Sequence, residues 1–72
     1  MTTEEFERLR AGDCFSRAGD DKVYFVNQVR SPGFYICCSA DPKTLEPDRT
    51  SGFEPVRSGE GLTLIPRKDR RS

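Results

Sequence analysis

The chain has 72 residues, with 12 Lys plus Arg against 12 Asp plus Glu, three Cys and no His. That length supports one hydrophobic core, so a single domain is expected over residues 1–66, followed by a basic C-terminal tail over 67–72. No apolar run approaches the ~20 residues of a bilayer crossing, and the lack of His removes the commonest general base and a frequent metal ligand.

Residues 2–11 read as a short helix. Thr2 and Glu5 match a capping box, acids fill the first turn, and Arg8 and Arg10 fall where the helix dipole favours cations. Phe6 and Leu9 form one narrow apolar stripe, and Gly12 is placed to end the helix. So short a helix needs a surface to dock on.

Strand and turn signals follow. Residues 14–17, 22–30, 34–39, 53–57 and 62–65 read as five short strands. Ser31-Pro32-Gly33 is a turn with the signature of type II, whose twist suits a connection longer than two residues. Residues 40–51, with Pro42, Pro47 and a lone Leu45, read as an irregular loop. The expected fold is mainly β: a small antiparallel five-stranded SH3-like barrel preceded by one short N-terminal α-helix, with a twisted four- or five-stranded sheet carrying the helix across one face as the alternative.

An odd number of cysteines, two of them adjacent (Cys37 and Cys38), is a poor disulfide framework. The segment Met1-Thr2-Thr3-Glu4-Glu5 lacks the features of a signal peptide, so a cytoplasmic location is expected, with no membrane partner. Cys14, Cys37 and Cys38 have no imidazole to activate them and read as small core residues. Three thiols without His make a poor zinc set, and the acids match no calcium loop. No catalytic residue, metal or cofactor is expected, and the chain is not expected to be an enzyme.

Alternation in the hairpin defines two faces. With Val29 opposite Ile36, Val23, Phe25, Val29, Phe34, Ile36 and Cys38 form one face, expected to be the core. Tyr24, Val26, Tyr35 and Cys37 share the other with Gln28 and Arg30, and Tyr24, Val26, Arg30 and Tyr35 are the candidate partner contacts. The alternative for this second face is burial beneath the helix or the long loop. Glu4, Glu5 and Glu7 at the acidic head, and Arg67, Lys68, Arg70 and Arg71 in the tail, are candidate electrostatic contacts.

Leu9-Arg10-Ala11-Gly12-Asp13 resembles the entry segment of small SH3-like barrel proteins. Phe53-Glu54-Pro55-Val56 is similar to a closing strand in short proteins of phages and mobile elements. The resemblance spans nine residues and transfers no site residue. It implies action by occupying a surface of a larger host complex, as anti-CRISPR proteins do. The expected function is therefore a non-enzymatic binding protein that docks on, and inhibits or modulates, a larger protein or ribonucleoprotein complex. A single-stranded nucleic-acid-binding barrel and a self-associating subunit, as a homodimer, are the alternatives.

Overall fold

The computed structural model describes residues 1–66. Helix α1 (Thr3–Glu7) precedes strands β1 (Cys14–Arg17), β2 (Val23–Ser31), β3 (Phe34–Ala40) and β4 (Pro47–Asp48). A 3₁₀ turn (Arg49–Ser51), β5 (Glu54–Val56) and β6 (Leu62–Ile65) follow. The fold is mainly β, as expected. No described helix is long and apolar enough to cross a membrane.

The capping box forms as the sequence predicts. Thr2 Oγ1 accepts from the Glu5 amide at 3.1 Å, and Glu5 Oε1 accepts from the Thr2 amide at 3.1 Å. The helix is shorter than expected and ends at Arg8, whose guanidinium pairs with Glu4 one turn back at 3.3 Å. Residues 9–13 form turns instead, with Asp13 Oδ2 accepting from the Arg10 amide at 2.8 Å and Gly12 at φ 98°.

The six strands of the described residues are antiparallel neighbours in the order β4-β3-β2-β1-β6, with β5 also pairing β3. Since β2 occupies one side of β3, β4 and β5 share its other side. Five strands were expected, and the sixth, Pro47–Asp48, lies in the segment read as a loop. Among the described residues β5 and β6 do not pair, so the sheet is open where a barrel would close.

The hairpin register differs from the sequence expectation. Val26 pairs with Cys37, but Gln28 pairs with Ile36 and Val29 with Tyr35, so Asn27 is an extra residue in a bulge. A second irregularity lies between Val29 and Ser31, and Ser31 then pairs with Phe34. The connection is thus the two residues Pro32 and Gly33, shorter than expected. Gly33 takes φ 86°, and the irregularity before it absorbs the twist mismatch.

The larger core cluster holds Phe6, Leu9, Phe15, Tyr24, Val26, Tyr35, Cys37 and Leu62, with Met1 and Val56 packed against it. This is the face of the candidate contacts, for which burial beneath the helix was the alternative. Helix α1 covers it: Phe6 meets Tyr35 edge-on at 5.0 Å, and Phe15 stacks on Tyr24 at 5.6 Å. The Tyr35 hydroxyl donates to the Phe6 carbonyl and accepts from the Gly33 amide, so one phenol ties helix, strand and turn together. The Met1 ammonium donates to the Leu62 carbonyl.

A smaller cluster of Cys14, Val23 and Ala40, flanked by Phe25, Leu45 and Ile65, sits on the opposite, outer face. The 41–46 loop closes one end of it. Asp41 Oδ1 accepts from the Lys43 and Thr44 amides at 2.7 and 3.3 Å, and the Asp41 carbonyl accepts from the Leu45 amide at 2.7 Å. Leu45, at φ 64°, is thereby turned onto the sheet.

Candidate functional site

Each expected contact residue has a definite place. Tyr24, Val26 and Tyr35 are 5%, 0% and 0% exposed, so the expectation that they contact a partner is corrected. Both faces of the hairpin are apolar, and alternation alone does not say which one the helix covers. Arg30 is exposed beside the β2–β3 turn, and Glu4, Glu5 and Glu7 are exposed on and around α1. Arg67, Lys68, Arg70 and Arg71 lie outside the described residues.

With the tyrosine face filled, the outer face of the hairpin is the surface left to present. Cross-strand partners share a face, so Cys14, Phe25, Cys38 and Ile65 stand together, as do Gln28 with Ile36 and Ile36 with Pro55. Phe25, Phe34 and Ile36, assigned to the core by the sequence, are half-buried here, while Gln28 and Pro55 are exposed.

Two arginines lie on this face. The Arg57 guanidinium sits 4.4 Å from the centre of the Phe34 ring, and that of Arg49 sits 5.8 Å from the Phe25 ring. Asn27, the bulged residue, fixes the second pair. Its Oδ1 accepts from Arg49 Nε at 3.0 Å, and its Nδ2 donates to the Phe25 carbonyl at 3.3 Å. Neither arginine forms a salt bridge with a described residue. A third guanidinium, Arg17, lies 5.2 Å from the Tyr24 ring at the other side of the sheet.

Phe25 and Phe34 were assigned to the core, and Asn27, Arg49 and Arg57 were not singled out as contacts in the sequence. The one available signal was the apolar alternation of the supposed core face. Arg49 falls in the presumed loop and Arg57 at the end of a short strand, so no periodicity connects either to its ring.

The cysteines are all buried. The Cys14 thiol lies 3.8 Å from the Leu45 carbonyl. Burial, reinforced by Cys38 and Glu54, pushes the Cys37 thiol from 9.0 up to about 12. A nucleophilic thiol needs the opposite shift.

A cleft of about 630 Å³ opens beside the helix, where Phe6, Pro32, Gly33 and Gly59 meet Arg57, with Glu7 and Glu60 also lining it. Arg57 thus borders two carboxylates at the helix end of the hairpin. The candidate site is a partly apolar surface with two ring-supported guanidinium groups. No protein-family model, curated protein or solved structure matches the chain.

Proposed function

We propose that this chain is a non-enzymatic binding protein that docks on a larger protein or ribonucleoprotein complex and inhibits or modulates it. The observation that carries this reading is the pair Phe25–Arg49 and Phe34–Arg57 on the outer face, without salt-bridge partners among the described residues. Arginine and aromatic side chains concentrate binding energy at protein interfaces, and a guanidinium already held over a ring has less freedom to lose on binding. The strand order β6-β1-β2-β3-β5 supports a finer reading of the sheet as an SH3-like barrel left open between β5 and β6.

The test is a photo-crosslinking residue at Gln28, which is exposed between the two arginine positions. In the protein's own cells it is expected to trap one discrete high-mass partner, and Arg49→Glu with Arg57→Glu should suppress the product. Finding no adduct, or only adducts between copies of the chain, would sink the docking function. Light scattering of the purified chain should show a mass that does not rise with concentration; a rising mass would favour the self-associating subunit.

A further inference from the structure

We infer that the outer face receives an extended acidic segment of a partner protein, seating two carboxylates four residues apart on Arg49 and Arg57. This deepens the docking function and depends on it. Phe25 lies opposite Cys38, and Phe34 precedes Cys38 by four residues along β3. The two rings that support the guanidinium groups are therefore offset by four residues of strand, ~13 Å along the sheet. An extended segment repeats its side-chain direction every second residue, so positions i and i+4 share a face and match that offset.

Charge on this surface is complementary to carboxylates. None of the strand residues that the pairing places on the outer face is acidic. Each guanidinium offers a planar fork of donors suited to a carboxylate. Between the two positions Ile36 gives an apolar floor and Gln28 an amide.

The same surface suits a nucleic acid less well. Glu7 and Glu60 line the cleft beside Arg57, where a continuous phosphate backbone would meet them. The guanidinium groups cap the rings on which bases would stack. With 12 cationic and 12 acidic side chains, the whole chain exerts no net pull on a polyanion. A protein segment can place discrete acids and leave the cleft end uncharged.

The experiment is an amide and arginine-side-chain NMR titration of the full chain with three probes. One is a twelve-residue peptide carrying two glutamates four apart, the second replaces both with glutamine, and the third is a single-stranded oligothymidine. The glutamate peptide is expected to give saturable shifts at Asn27, Gln28, Ile36 and the Arg49 Nε–H. Affinity should drop about tenfold in Arg49→Gln combined with Arg57→Gln, as for loss of charged interface partners. The glutamine peptide should bind at least as weakly to the unaltered protein, a comparison that needs no variant to fold. Equal binding of both peptides, tighter binding of oligothymidine, or no saturable shift by millimolar peptide would overturn the inference. Should these peptides fail while the Gln28 crosslink persists, the acidic-segment inference falls alone; loss of the crosslink removes the docking function itself.

Discussion

Tyr35 shows how one side chain can be misplaced by its chemistry and placed by its geometry. A tyrosine on a strand suits an interface, yet this hydroxyl has two backbone partners inside the protein, the Phe6 carbonyl and the Gly33 amide. Tyr35→Phe removes both bonds, taking the acceptor from the Gly33 amide and leaving the Phe6 carbonyl with the Leu9 amide at 3.4 Å, so chemical denaturation should report a loss of about 1–3 kcal/mol. An unchanged midpoint would mean that water replaces the hydroxyl without cost. Cys37 gives a second test at this scale. Its thiol titrates higher in the folded protein than in the unfolded chain, so its contribution is complete below about pH 9 and is lost as pH climbs towards about 12. Over that window the unfolded thiol ionises first, and stability should fall with pH by up to about 1.4 kcal/mol per unit. The measurement is the difference in pH slope between the native chain and Cys37→Ala; equal slopes would contradict it. That these cysteines are core residues was legible from the missing His. Which face of the hairpin the core would take was not, because the helix that decides it is too short to announce its docking direction.

Among the elements, the helix is the one whose position depends on a glycine. A Cβ built on Gly59 would lie 2.9 Å from both Cβ and Cγ of Phe6, closer than packed carbon atoms come. Gly59→Ala should therefore push α1 outward and cost about 1–3 kcal/mol. The cost should shrink in a Phe6→Ala background, where Cγ and the ring are gone and only the Cβ contact remains, as a double-mutant cycle would show. Additive effects would mean that the helix and the β5–β6 connection do not press on each other. The capping box was readable from Thr2 and Glu5 because capping is local chemistry. Strands β1 and β6 were readable to the residue, since Gly, Asp and Pro bracket their apolar runs. Strand β4 was not readable. Pro47 and Asp48 have little strand propensity, and they pair only because the Asp41 turn delivers them to the edge of β3. The Asn27 bulge left no local signal either, and it displaced the predicted pairing of Val29 from Ile36 to Tyr35.

For the whole molecule, the larger core and the proposed docking surface lie on opposite faces of one hairpin. The inner face joins Tyr24, Val26, Tyr35 and Cys37 to α1, and the outer face carries exposed arginines over half-buried rings. Replacing both Arg49 and Arg57 with Gln should then leave the thermal midpoint nearly unchanged, within about 0.5 kcal/mol per site, since their attachments are exposed. Calorimetry reads this directly, and a large drop would make the two arginines part of the scaffold.

The pairing of β1 with β6, Cys14 opposite Ile65, also bears on how the chain reaches this state. The helix is made before every described strand, yet its seat includes Tyr35, Gly59 and Leu62. It therefore waits without a binding surface until nearly all the described chain has been made. Long loops must close before these contacts form, which places folding in the slower, millisecond-to-second range of small β proteins. During that delay the inner face of the hairpin, with its two tyrosines, is open to other chains. The surface sealed in the finished protein is thus the one most exposed to misassociation while it is being built.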